Sequence, residues 1–150
     1  MPVIHLQTLI KADIETCFDL ARSIDLHVES TKQTGETAIA GRTGGLIEMW
    51  ETVTWRAKHF GIWQTLTSKI TQMQRPFLFV DEMQSGAFKS FRHEHYFAEI
   101  NDGTLITDIF TFQSPLGLPG AVANKLFLTR YMTNLLLRRN EVIKAHAEAK

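Results

Sequence analysis

From Leu46 to Phe112 the chain is a nearly continuous run of β-branched and aromatic residues, cut only at Lys58 to Gly61, Gln74-Arg75-Pro76, Ser85-Gly86 and Asn101-Asp102-Gly103. Twelve of the fifteen aromatic residues fall between Trp50 and Phe112, so the large flat side chains are concentrated here. Such residues suit a pleated, half-buried surface. The breaks predict five long antiparallel strands: Leu46–Arg56, Gly61–Gln72, Phe77–Gln84, Phe88–Glu99 and Thr104–Phe112. Asp102-Gly103, flanked by Phe97 and Ile106, is the strongest hairpin signal. No helical pattern interrupts the run, which excludes a doubly wound fold of alternating strands and helices.

The flanks differ in character. Val3, Ile4, Leu6, Leu9 and Ile10 predict a strand over Val3–Ile10. Asp13 is placed to cap a helix of about 10 residues, on which Ile14, Cys17, Phe18 and Ala21 recur at helical spacing. A second short helix is expected over Ile24–Glu29, then a Gly-rich stretch from Thr31 to Gly45 holding one brief strand near Ala38–Ala40. After Pro115-Leu-Gly-Leu-Pro119-Gly a helix of about 30 residues should run to Ala147, with Leu118, Val122, Leu126, Thr129, Met132 and Leu136 on one face. Phe127, Leu128, Tyr131 and Leu135 broaden that face, while Arg138, Arg139 and Lys144 are expected on a solvated end, complementing the helix dipole. This order predicts an α+β fold: a curved antiparallel sheet of about six to seven strands wrapped around a long C-terminal helix, with two short helices after the first strand. Wherever inward side chains fail to fill such a wrap, a cleft for a small molecule remains.

Composition narrows the partners. The 150 residues are expected to form a single domain (1–150), with 44% hydrophobic and 21% charged residues placing it in the globular range. Sixteen basic and sixteen acidic residues balance to zero, which argues against a nucleic acid or an anionic membrane as partner. The balance is uneven: from Ala121 onward six Lys+Arg face two Asp+Glu, so a mildly basic helix is held by a mildly acidic body. Cys17 is alone, which precludes an intramolecular disulfide and suggests inert core. No secretory signal and no window near ~20 apolar residues is seen, so a cytoplasmic chain without a membrane span is expected. No phosphate-binding glycine motif occurs, and no cofactor is called for.

Parity assigns the strand faces. Phe91, His93, His95 and Phe97 share one face of their strand and are read as inward. Ile106, Asp108, Phe110 and Phe112 share the corresponding face of the next, which sets a carboxylate among apolar neighbours. Met49, Glu51, Val53 and Trp55, and Phe77, Phe79, Asp81 and Met83, form the inward sets of two others. His93 and His95 with Asp108 have three readings: hydrogen-bonded structural or ligand-orienting histidines, a general acid-base pair, or, with His59 and Glu51, metal ligands. Arg42 and Glu36 are expected to pair with each other or with solvent.

Several stretches resemble a known superfamily. Ile10-x-Ala12-x-x-Glu15-x-x-Phe18, the aromatic meander and the Pro-x-Gly run before the last helix are similar to START-like (SRPBCC) proteins, whose helix-grip fold is shared with birch-pollen allergen proteins and polyketide cyclases. Asp25-Leu-His27-x-Glu29-Ser30, Ala40-Gly41-Arg42-Thr43-x-Gly45, Val53-Thr54-Trp55-Arg56-Ala57-x-His59-Phe60-Gly61, Phe91-x-His93-x-His95-x-Phe97 and Ser114-Pro115-Leu116-Gly117 resemble one bacterial subgroup, often labelled cell division inhibitors or cyclase/dehydrase-like proteins. Asp13 departs from the family, where many members carry proline. The resemblance implies the helix-grip fold and a cavity for a small hydrophobic, lipid-like, aromatic or polyketide-like ligand. Its expected lining is Glu51, Trp55, His59, Phe60, Phe79, Asp81, Phe91, Phe97 and Phe110, with His93, His95 and Asp108 as candidate catalytic residues. Two other functions stay open: a cyclase or dehydratase using a cavity histidine as general base, and a protein-interaction module without ligand; the chain is expected to be a monomer or a homodimer.

Overall fold

The computed structural model describes residues 2–114 and 125–149. Seven strands form one antiparallel sheet: β1 (Val3–Ile10), β2 (Thr37–Gly41), β3 (Thr52–His59), β4 (Ile62–Gln74), β5 (Leu78–Gly86), β6 (Ser90–Ile100) and β7 (Gly103–Gln113). Their spatial order, β1-β7-β6-β5-β4-β3-β2, is a meander from β2 to β7 that β1 joins at the far edge. Helices α1 (Ile14–Ala21) and α2 (Ile24–Ser30) follow β1, and α3 (Lys125–Glu148) comes last. This is the expected architecture. Register shifts in β2 and at two places between β4 and β5 are β-bulges, the device by which a sheet bends.

Local chemistry starts the helices where the sequence indicates. The Asp13 carboxylate accepts from the Thr16 backbone N–H at 3.1 Å and from the Thr16 hydroxyl at 2.7 Å, so aspartate supplies the cap without proline. Ser23 caps α2 in the same way, accepting from Leu26 N–H at 3.1 Å. The buried face of α1 is Ile14, Cys17, Phe18 and Ala21, at the spacing predicted. Phe18 packs edge-on against Phe79 and Phe97, with centroids 5.5 and 5.2 Å away, and this cluster joins Ile10, Ile106, Ile143 and Ala147 into the main core. A second cluster, Ile4, Phe91, Phe110, Phe112, Leu128 and Leu136, seals the other half of α3 against β6 and β7.

Three expectations need correction. The strand expected from Leu46 begins only at Thr52, because Trp50 adopts a left-handed φ of 68° and Glu51 N–H turns back to Glu48 C=O at 3.1 Å. Parity therefore does not extend to Met49 and Glu51. Leu126, expected on the buried face of the last helix, is 69% exposed; the face that packs runs through Leu128, Leu136, Ile143 and Ala147. Leu118 and Val122, assigned to the same face, lie outside the described residues. Arg139 is not on a solvated end but 6% exposed inside the fold. The 100–103 hairpin stands where predicted, with glycine in a different role: the turn residues are Asn101 and Asp102, and Gly103 opens β7. A Cβ on Gly103 would sit 2.4 Å from Ile10 C=O, so the close approach of β1, not turn conformation, requires glycine there.

Candidate functional site

Sheet and α3 do not close completely on each other. Between them lies a cavity of about 400 Å³, within the range that holds small-molecule ligands. Its apolar wall comes from Trp55, Phe79, Phe91, Phe110, Leu128 and Leu136. Beside Arg22, Ser23, Thr31, Gln64, Thr65 and Ser68, its polar lining holds two hydrogen-bonded clusters.

The inner cluster is built on the inward face of β6. His93 and His95, two residues apart, stack with ring centroids 3.7 Å apart, and Phe79 lies flat on the outer face of His95 at 4.0 Å. Antiparallel register sets Asp81 of β5 opposite His93 and Asp108 of β7 opposite His95. The side chains pair diagonally: His93 Nε2 to Asp108 Oδ1 at 2.8 Å, and His95 Nε2 to Asp81 Oδ2 at 2.7 Å. From α3, Arg139 donates to Ala21 C=O at 2.9 Å and places its guanidinium 3.5 Å from His95 Nδ1 and 3.7 Å from Asp108 Oδ1. Asn140 donates to Asp108 Oδ2 at 2.8 Å and to Thr8 Oγ1 at 3.1 Å. Two carboxylates, two imidazoles, a guanidinium and an amide thus form one network in which Asp108, 1% exposed, takes bonds on both oxygens.

Burial is the first influence on these groups. It pushes His93 down to about 4, helped by the neighbouring His95 and only partly opposed by Asp108. Burial alone would raise Asp108, but hydrogen bonds from His93 and His95, and then the Arg139 charge, hold its carboxyl well below the usual range. Asp81 is held down in the same way, chiefly by His95 against its own desolvation. At neutral pH His93 is therefore uncharged. A carboxylate only accepts, so Nε2 carries the proton and Nδ1 is a bare lone pair, with no partner for it among the described residues. His93 lines the cavity.

The outer cluster joins α2, the start of β2, the end of β3 and α3. Glu36 accepts from His27 Nε2 at 2.6 Å, and His27 leans on Trp55 with centroids 4.2 Å apart. His59 Nδ1 and the Tyr131 hydroxyl are 2.6 Å apart, with Phe60 tilted over Tyr131 at 4.7 Å. Desolvation lowers His59, against the pull of Glu36, and raises Tyr131.

Of the residues named from sequence, Trp55, His59, Phe60, Phe79, Asp81, Phe91, His93, His95 and Phe110 line this cavity, with Asp108 directly behind His93. Two others lie elsewhere. Glu51 is bound by Arg42 Nε at 3.1 Å and by Glu48 N–H at 2.7 Å, outside the lining, because its segment is not a strand. Phe97 is taken up by the Phe18–Phe79 core. Arg42 therefore pairs with Glu51, and Glu36 with His27 in the cavity wall. Phe77 sits in the turn before β5 and is exposed. Sequence reasoning missed Arg139, Asn140, Glu36, His27 and Tyr131 as parts of the site. The signal for the first two was present: they continue the Leu128, Met132, Leu136 ladder toward Ile143, and a polar residue on a buried ladder needs a partner inside.

A metal is the less suited occupant of the inner cluster. Asp81, His93 and His95 offer ligand atoms within 4.8 Å of one another. The Asp81–His95 bond already uses two of them, and the Arg139 cation beside His95 opposes a second positive charge.

No protein-family model and no curated protein sequence matches the chain. Solved structures do. A START superfamily protein from Mycobacterium smegmatis superposes with a TM-score of 0.72 at 12% identity, covering 98% of this chain and 97% of that one. Ginseng major latex-like protein 151 from Panax ginseng gives 0.68 at 19%, covering 97% of each. TTHA0849 from Thermus thermophilus gives 0.73 at 16%, covering 97% and 99%. At such identities the likeness establishes the fold alone, and that fold is the START-like helix grip.

Proposed function

We propose that the chain binds a small, uncharged hydrophobic molecule between sheet and α3, and that His93 orients it by accepting a hydrogen bond from a ligand hydroxyl. The observation that carries this reading is a neutral His93, its Nδ1 without a partner among the described residues, in the wall of a mainly apolar cavity. A lone pair held there accepts and cannot donate, so it selects a hydroxyl over a carbonyl. Charge supports the same choice. The cations of the lining, Arg22 and Arg139, are both engaged: Arg22 with Asp19 and Glu48, Arg139 with Ala21 C=O beside Asp108. An anionic ligand would find no free countercharge among the described residues, and burying an unpaired carboxylate costs several kcal/mol. No described helix is long and apolar enough to cross a membrane.

The His93–Asp108 pair also favours a second reading, a cyclase or dehydratase in which Asp108 fixes the tautomer and His93 takes a proton from the substrate. The motifs shared with the cyclase/dehydrase-like subgroup support it. A conjugate acid near 4 makes His93 a weak base at neutral pH, so binding is the leading reading.

Titration calorimetry with naphthalene, 2-naphthol and 2-naphthoate tests the proposal. The expected order of affinity is naphthol, naphthalene, naphthoate, with His93→Phe abolishing only the advantage of naphthol. Naphthoate binding as tightly as naphthol, or naphthol unaffected by His93→Phe, overturns it. Native mass spectrometry of protein from its own host, searched for a co-purifying small molecule, identifies the ligand class directly.

A further inference from the structure

Two hydrogen-bonded clusters of polar side chains line the cavity, and α3 measures the distance between them. Tyr131 belongs to the outer cluster and Arg139 to the inner one; both line the cavity, eight residues apart on one helix. At 1.5 Å per residue that is about 12 Å. Between them α3 contributes Met132, Leu135 and Leu136, all apolar. The sheet adds Trp55, Phe79 and Phe91 to the apolar lining. Along α3 the wall therefore reads polar, apolar, polar.

The outer cluster has hydrogen-bonding capacity to spare. The Tyr131 hydroxyl owns one donor and two lone pairs, and its bond to His59 Nδ1 uses one of the three. His59 Nε2 has no hydrogen-bond partner among the described residues. Glu36 is held by His27 at 2.6 Å, and the Tyr131–His59 pair itself carries no carboxylate. Phe60 on Tyr131 and Trp55 on His27 hold both rings in place. A preorganised, uncharged donor-acceptor pair set in an apolar wall recognises a neutral polar group.

The geometry points to Tyr131 and His59, backed by Glu36 and His27, as a second recognition site, so that the cavity takes an elongated, flat, uncharged molecule with a hydroxyl at the His93 end and a hydroxyl or carbonyl at the other. One end meets His93; the other meets Tyr131–His59. The middle is apolar and aromatic. This rests on the reading of the cavity as a binding site and adds the second anchor and the length of the ligand. A molecule with a single polar group, or one too short to span the apolar stretch, uses half of the available specificity.

The test is a titration of the whole chain with biphenyl, 4-hydroxybiphenyl and 4,4'-dihydroxybiphenyl, followed by calorimetry. In the unmodified protein the second hydroxyl should tighten Kd about three- to tenfold, the range of one net hydrogen bond. Tyr131→Phe, which keeps the ring under Phe60, should erase that advantage of the diol over the mono-ol. His59→Phe should do the same, and Arg138→Met on the exposed side of α3 should do neither. Thermal melts verify that each variant is folded. A diol that still outbinds the mono-ol in Tyr131→Phe and His59→Phe, or no gain in the unmodified protein although biphenyl binds, overturns the second site alone. If none of the three probes binds, the binding reading falls and this inference with it.

Discussion

Acidification should cost this protein stability through His93, and the size of the loss follows from its surroundings. An unfolded His93 takes a proton near 6.5; folded, desolvation and the adjacent His95 hold it down to about 4. Between these values the unfolded chain binds a proton that the folded one refuses. The stabilisation is therefore complete above pH 6.5 and is lost as the pH falls toward 4. At about 1.4 kcal/mol per pH unit, the fall from pH 7 to pH 4 is roughly 3 kcal/mol, a large part of the stability of an ordinary domain. His59 is displaced in the same direction and adds to the slope, so the effect of His93 has to be isolated by difference. His93→Gln keeps an N–H for Asp108 and does not titrate. Urea unfolding at pH 7, 6, 5 and 4, followed by tryptophan fluorescence, should show the gap in ΔG between the unmodified protein and His93→Gln narrowing by roughly 3 kcal/mol over that span. A constant gap would refute the argument, for it would mean that His93 takes up its proton in the folded state as readily as in the unfolded one. Below pH 4 a different loss takes over, because Asp108 and Asp81 are held below their ordinary values and their contribution disappears as they protonate.

Three further outcomes are expected. Arg139→Met, measured by chemical denaturation, should destabilise by about 3–5 kcal/mol because it strips a countercharge from buried Asp108, whereas Arg138→Met, one residue away and exposed, should stay within about 0.5 kcal/mol. Phe18→Ala should cost about 3–5 kcal/mol, since its ring is fully buried between Phe79 and Phe97. Gly103→Ala should lower Tm measurably without altering ligand binding, because its Cβ would collide with Ile10 C=O at the far edge of the sheet and not in the cavity.

Much of the architecture was legible in the residues. Aromatic and β-branched runs between turn signals produced β4 to β7 with boundaries close to those observed, and β3 with a start placed too early at Leu46, while alternation placed Phe91, His93, His95 and Phe97 on the inward face of β6, where all four are buried. The same rule failed at Glu51 because alternation holds only while the backbone is extended, and the left-handed Trp50 lies just before it. Leu126 misled for a related reason: hydrophobicity marks an apolar residue as buriable, but the phase of α3 on the sheet decides which ones are buried.

Periodicity and turn chemistry are local properties, and they were enough to determine the elements, their order and which strand faces turn inward. Only the tertiary structure decided how those elements meet. Whether Arg139 faces water or Asp108 depends on the rotation of α3 across the sheet, and the meeting of Glu36, His27, His59 and Tyr131 joins four separate elements. The bare nitrogen of His93 is likewise a product of the fold: Asp108, which strand register sets opposite His95, reaches diagonally to claim one ring nitrogen of His93, and burial keeps the proton off the other.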